Sequence, residues 1–204
     1  MTIESHPLEP FLPPDARILF LGSFPPPRAR WSMDFFYPNF NNDFWRVMGL
    51  VHFDNAQHFV VPGGRRFNYE AVVEFCRQAG LAFFDTASKV RRLKDNASDA
   101  FLEILQPTDI GALLARLPHC HAIVTTGGKA SEQFAALLNG TAADAAPLQS
   151  SPLPTTVSVL APGGYVDVTA WGRALRWWRM PSTSRAYPLA LSAKAAAYAR
   201  LWPC

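Results

Sequence analysis

Cysteine is scarce in this chain: Cys76, Cys120 and Cys204 are its whole complement, with no C-x-x-C pair. An odd number at wide spacing argues against a zinc site, an iron–sulfur cluster and a disulfide framework, and favours a reducing compartment. Long apolar runs are lacking as well. No stretch approaches the roughly 20 residues of a membrane span, and the first residues show no charged-then-apolar signal pattern, so a cytoplasmic protein without membrane attachment is expected. Charge is sparse: a net +3 does not announce nucleic-acid binding by its sum, and only the placement of the basic residues is informative. No Lys-Ser/Thr follows the Gly127-Gly128 pair, which counts against a nucleotide triphosphate loop. There is also no G-x-S-x-G elbow of the kind a serine hydrolase carries.

What is present fits one domain. The chain has 204 residues, 49% of them hydrophobic, enough for a sheet covered by helices on both sides. Residues 1–15, with Pro7, Pro10, Pro13 and Pro14, read as an extended lead-in without chemistry of its own. Ile18-Leu19-Phe20-Leu21 is a continuous apolar run, the pattern of a strand buried on both faces. Gly22 and the triplet Pro25-Pro26-Pro27 stop it in a stiff loop. Beyond the loop lie Phe35, Phe36, Tyr37, Asn39, Phe40, Asn41, Asn42, Phe44 and Trp45. Rings stack on planar ligands and amides both donate and accept hydrogen bonds, so this mixture suits a nucleobase pocket.

Further along, Asn42 or Asn41 is expected to cap a helix reaching Met48 and ended by Gly49, and residues 51–67 to form a loop. Asn68 caps a helix over Tyr69–Gln78 that stops at Gly80. Leu81–Asp85 is a strand whose terminal carboxylate points at the crevice above the sheet. A polar loop is expected from Thr86 to Asp99, carrying Lys89, Arg91, Arg92 and Lys94, then helix from Phe101 to Leu117 with a break at Pro107. His121–Thr126 reads as a strand, Lys129–Leu138 as a helix, and Asn139–Pro154 as an exposed insertion. Tyr165–Val168 reads as a short strand or extended loop, residues Gly172 to Trp178 lead into a last strand, and Ser192–Leu201 is a closing helix. Alternating strand and helix without repeats predicts an α/β fold, a three-layer αβα sandwich with a mainly parallel four-stranded sheet. Ligands in such folds meet the carboxyl ends of the strands. That gathers Ser23 to Pro26, Asp85, Thr126 to Gly128 and Pro181 to Ser184 at one rim.

Leu21-Gly22-Ser23-Phe24-Pro25, with Phe36-Tyr37-Pro38-Asn39 and Asn42-Asp43-Phe44-Trp45, resembles the first motif of the uracil-DNA glycosylase superfamily. The likeness is strongest to its hypoxanthine-DNA glycosylase branch, whose pattern is roughly G-S-x-P followed by Y-Y-A-N-P-x-N-x-F-W. Gly80–Ser88 is similar to that branch's G-I-A-L-W-D-V-I-A-S segment, and Met180–Ser184 to its L-P-S-T-S motif. The resemblance spans most of residues 17–202. It implies a monofunctional enzyme that hydrolyses the N-glycosidic bond of a deaminated base, hypoxanthine or uracil, flipped out of DNA. It also implies DNA as partner, no metal or organic cofactor, and a monomer.

Carried over residue by residue, the resemblance makes Asn39 the residue that aligns the attacking water, with Asn42 as the alternative. Many members of the superfamily have Asp or Asn where this chain has Phe24, and His where it has Met180. The base pocket would be formed by Gly22, Ser23, Phe24, Pro25, Gly127, Pro181 and Ser182, with Phe36 or Tyr37 stacking on the base. Asp85 would accept from a base edge that presents an N–H. DNA contacts would come from Thr183, Ser184, Arg185, Tyr187, Arg91 and Lys129, where Ser182 and Ser184 bond phosphates and Arg185 or Tyr187 fills the gap left by the base. Phe24 and Met180 favour a rival, a DNA-binding or accessory protein of the same fold with impaired catalysis. A hydrolase of a small nucleoside or ester, with Ser23 or Ser182 as nucleophile, is a further alternative. The histidines it would need, His6, His52, His58, His119 and His121, all lie far from the motifs in sequence.

Overall fold

The computed structural model describes residues 2–93, 101–144 and 158–202. In chain order the strands and α-helices are β1 (Thr2–Ser5), β2 (Ile18–Gly22), α1 (Phe44–Phe53), α2 (Tyr69–Gln78), β3 (Leu81–Asp85), β4 (Ala87–Arg92), β5 (Leu102–Pro107), α3 (Ile110–Ala115), β6 (Ala122–Thr126), α4 (Gly128–Asp144), β7 (Tyr165–Ala170), β8 (Arg173–Met180) and α5 (Leu191–Ala199). None of these helices is long and apolar enough to cross a membrane.

The main sheet has the order β3-β2-β6-β8-β7. Its first four members run parallel, as their apolar sequences require, and every residue of β2 and β3 is buried. The fifth, β7, is an antiparallel edge joined to β8 by Trp171-Gly172, both at positive φ. That is the twist of a tight two-residue hairpin. Side chains alternate between the two faces. On one, Phe20 stacks on Phe83 at 5.3 Å and meets Phe44 of α1 edge-on, with α5 packed against α1. On the other, Trp177 packs on Phe134 of α4 and donates its indole N–H to Thr125 Oγ1 at 2.9 Å. The result is the expected αβα sandwich with one strand more than the sequence promised.

Three expectations need correction. Residues 101–107 are not helical: β5 pairs antiparallel with β4, which pairs with β1 in a separate three-stranded sheet. Phe24, Ala87, Val90 and Leu102 form a small core of their own there. Lys89, Arg91 and Arg92 therefore sit in a strand, not in a loop above the rim. Helix α1 runs past Gly49 to Phe53 and ends where Asp54 turns left-handed, with Asp54 N–H bonded to Leu50 O and Asn55 N–H to Gly49 O. Gly49 is needed for another reason, since a Cβ there would lie 2.4 Å from Asn55 O. Helix α4 extends to Asp144, so residues 139–144 are helical, and the rest of the expected insertion falls outside the described residues.

Candidate active site

Above the carboxyl ends of the parallel strands lies a cleft of about 610 Å³. Its walls combine Gly22–Pro26 after β2, the segment Phe36–Asn42, Asp85 at the end of β3, Thr126 at the end of β6 and Ser182–Ala186 after β8. The segment carrying the rings and amides thus faces the Pro-Ser-Thr-Ser turn across one hollow.

Specific bonds hold the two together. Asn42 and Ser184 form an antiparallel bridge, and Asp43 N–H donates to Thr183 O at 2.9 Å. Lys194 of α5 places its ammonium 2.9 Å from both Asp43 Oδ2 and Ser184 O, while Arg185 Nε reaches Asp43 Oδ1 at 3.2 Å. Tyr198 donates its hydroxyl to Pro181 O at 2.9 Å, and complete burial drives its pKa well above the ordinary value. Arg46 donates to Phe40 O and Asn42 O and lies over the Phe40 ring at 4.4 Å. Its pKa is lowered, first by burial, then by repulsion from Arg185. Trp45 ties the same segment by an indole N–H bond to Phe36 O, and Trp31 ties the loop after β2 by one to Pro26 O. These donors satisfy carbonyls that an irregular buried loop would otherwise leave unpaired.

Tyr37 is at φ 52°, a left-handed backbone that costs a non-glycine residue about 1–3 kcal/mol. The conformation is held by a 2.8 Å bond between its hydroxyl and Thr126 Oγ1, and by stacking on Phe44 at 3.8 Å with the planes 4° apart. Phe36 lies deeper, 4% exposed and stacked on Phe83. Asn39 Oδ1 accepts Asn41 N–H, and Asn42 Oδ1 accepts Phe44 N–H at the start of α1, each at 2.9 Å. Asn42 is therefore tied to the helix start. A carbonyl oxygen has a second lone pair, so both amides retain an acceptor site and their –NH₂ donors.

Gly22 and Asp85 are register partners at the ends of β2 and β3. The carboxylate lies over the glycine so closely that a Cβ there would be 2.4 Å from Asp85 Oδ1. The other oxygen, Oδ2, is 3.0 Å from His6 Nε2. The carboxylate therefore pairs with an imidazole, not with the Thr86 or Ser88 backbone; Thr86 N–H goes to Gly22 O instead. His6 is the site component that sequence reading missed, as it lies in the lead-in assigned no chemistry. Leu8 and the exposed Arg30 are further wall residues not singled out there.

Of the other expected residues, Ser23, Phe24, Thr183 and Arg185 line the cleft. Ser182 and Ser184 do so too, with hydroxyl oxygens that accept Ser184 N–H and Ala186 N–H, each at 3.2 Å. Each still has a hydroxyl hydrogen to donate. Pro181 and Gly127 stand behind the wall, Gly127 at φ 87° against Ser182. Lys129 stands in the first turn of α4 and Tyr187 follows the Ser184 turn; both are half-buried and neither lines the cleft. Arg91 belongs elsewhere: it pairs with Glu103 across β4 and β5 at 2.8 Å. Met180 is fully buried at the end of β8. Among the described residues no histidine bonds to Ser23 or Ser182, and the one imidazole near the cleft is bound to Asp85.

The architecture has a counterpart among solved structures. The solution NMR structure of a protein from Methanosarcina acetivorans, described as a "putative Uracil DNA glycosylase", superposes with a TM-score of 0.60 over 98% of this chain and 99% of that one. The two chains share one fold. Their sequence identity is 19%, so the likeness is one of architecture. No family model and no curated protein sequence matches the chain.

Proposed function

We propose that this protein is a monofunctional DNA glycosylase that takes a deaminated base, hypoxanthine or uracil, into the cleft and hydrolyses its bond to the sugar. The observation that carries this reading is the meeting of the ring-and-amide segment with the Ser182–Arg185 turn over Asp85, in one hollow at the carboxyl ends of the strands. The shared fold with a protein described as a uracil DNA glycosylase supports it.

A base stacked in a duplex is out of reach, so it must be extruded, at a few kcal/mol and less where it is mispaired. Ser182 and Ser184 hydroxyls, Lys129 and Arg185 then hold the flanking phosphates, with Arg185 or Tyr187 in the vacated gap. Tyr37 or Phe36 stacks on the base, and Asp85 accepts an N–H from its edge. As the glycosidic bond breaks, its electron pair leaves with the base, and the sugar becomes oxocarbenium-like. Water aligned by the Asn39 amide, or by Asn42, adds to the anomeric carbon, and the proton it gives up passes through solvent to the departed base, which took the electron pair. With Met180 in place of an imidazole, no side chain there donates to the departing base, and loss of such a donor typically costs about 3–4 kcal/mol.

Phe24 and Met180 equally support a second reading, a DNA-binding or accessory protein of this fold. Single-turnover assays on duplex and single-stranded oligonucleotides carrying deoxyinosine or deoxyuridine decide between the two. Abasic-site formation that is lost in Asn39→Ala supports the enzyme. Tight binding without release of any base from a panel of modified nucleotides supports the alternative.

A further inference from the structure

We infer that His6, delivered by the N-terminal strap, is a positioning residue that fixes Asp85 as a hydrogen-bond acceptor and so sets which base edges the cleft admits; this rests on the glycosylase reading above.

The strap is built into the fold. Strand β1 pairs with β4, His6 N–H donates to Ser88 O at 2.8 Å, and Phe11 exchanges both backbone bonds with Phe83 on the edge of the main sheet. Between these anchors the His6 ring, with 4% of its side chain exposed, packs on Phe84 at 4.4 Å, Phe24 at 5.4 Å and Phe36 at 6.1 Å. Its one charged partner among the described residues is Asp85. At the other ring nitrogen, Leu8 supplies both a carbonyl at 2.9 Å and an N–H at 3.2 Å. Neutral imidazole can therefore accept from Leu8 N–H and donate through Nε2, and imidazolium can donate to Leu8 O and still donate through Nε2. In either state Asp85 Oδ2 receives a proton donor. Oδ1 lies over Gly22 and Asp85 lines the cleft, so with Oδ2 engaged by His6 this oxygen is the acceptor left for a base edge. An edge with N–H at that position, such as N1–H of hypoxanthine or N3–H of uracil, is matched. An edge with a lone pair there, such as N1 of adenine or N3 of cytosine, is repelled.

The test compares His6→Phe, which keeps a packed ring without a donor, with His6→Gln, which restores one. Binding is measured to oligonucleotides carrying 2′-fluoro analogues of deoxyinosine and deoxyadenosine, which resist cleavage, and base release is measured on the cleavable forms. His6→Phe is expected to lower the inosine-over-adenosine binding preference roughly tenfold, the scale of one hydrogen bond to a charged group. His6→Gln should recover most of it, and His6→Phe should change nothing further in an Asp85→Asn background. Unaltered preference in His6→Phe, or an equal loss when Asp85 is already Asn, overturns the inference even if the enzyme is active. If wild type discriminates in binding through His6 but releases no base, the glycosylase reading fails and the role of His6 in base selection stands.

Discussion

Lys194 and Asp43 form a buried ion pair, Nζ to Oδ2 at 2.9 Å, with 1% and 11% of their side chains exposed. The pair joins α5 to the turn before α1, and the same ammonium holds Ser184 O. Without Lys194, Asp43 keeps only the half-exposed Arg185, and Ser184 O loses its donor. Lys194→Ala is expected to cost about 3 kcal/mol in chemical denaturation, the low end for breaking a buried pair. Lys194→Met combined with Asp43→Leu should recover much of that stability, yet weaken DNA binding, because the Ser182–Arg185 turn loses its anchor.

Asn39 and Asn42 should separate by assay. Asn42 holds the first turn of α1, so Asn42→Ala is expected to lower stability by about 1 kcal/mol. Asn39→Ala should leave stability within about 1 kcal/mol and slow single-turnover base release by about 10²-fold or more. Equal rates for Asn39→Ala and wild type would remove Asn39 from the chemistry.

Arg185 and Arg91 offer a contrast within one charge type. Arg185 lines the cleft with half its side chain exposed, whereas Arg91 is committed to Glu103 in the small sheet. Titrating DNA affinity against salt should show a slope lowered by about one for Arg185→Ala and unchanged for Arg91→Ala.

Glycine at position 22 is demanded by the carboxylate opposite. Gly22→Ala drives a methyl into Asp85 Oδ1 and should cost about 1–3 kcal/mol while breaking the His6 contact. Adding Asp85→Ala should return the stability but not the base preference, as thermal melts beside binding assays will show.

His52 adds a pH dependence. It lies against Phe75 at 4.9 Å and Trp202 at 4.5 Å with Nε2 unpartnered, and burial lowers its pKa below the ordinary 6.5. As pH falls below about 6.5 the unfolded chain takes up a proton that the folded one refuses, so stability is complete above that pH and drains away beneath it. Denaturation midpoints between pH 7.5 and 5 should fall less steeply for His52→Phe than for wild type.

The parts of the molecule that were legible in sequence are those with local causes. The run Ile18–Leu21 needs no partner to be recognised as a buried strand, and Asn68 followed by an apolar stripe and Gly80 marks both ends of α2. The cleft followed from topology, since carboxyl ends of parallel strands converge. Strand β5 escaped because Leu102, Ile104 and Leu105 read as one side of a helix, and only pairing with β4 makes them a strand. Strand β1 is four residues long, and only its pairing with distant β4 identifies it. The imidazole at the cleft was invisible for the same reason: 79 positions separate His6 from Asp85, and no spacing rule reaches that far.

That separation bears on how the molecule is made. Strand β1 leaves the ribosome well ahead of β4, the strand it pairs with, which follows more than eighty residues behind. The residues of β1 must wait, unpaired, until the sheet they will brace has been synthesised. Docking the strap closes one of the longest loops in the topology, an entropic cost that defers it to the later stages of folding. The strap that carries β1 and His6 is thus what finishes the cleft, and a chain with its sandwich already assembled would still lack the imidazole behind Asp85 until that strap had docked.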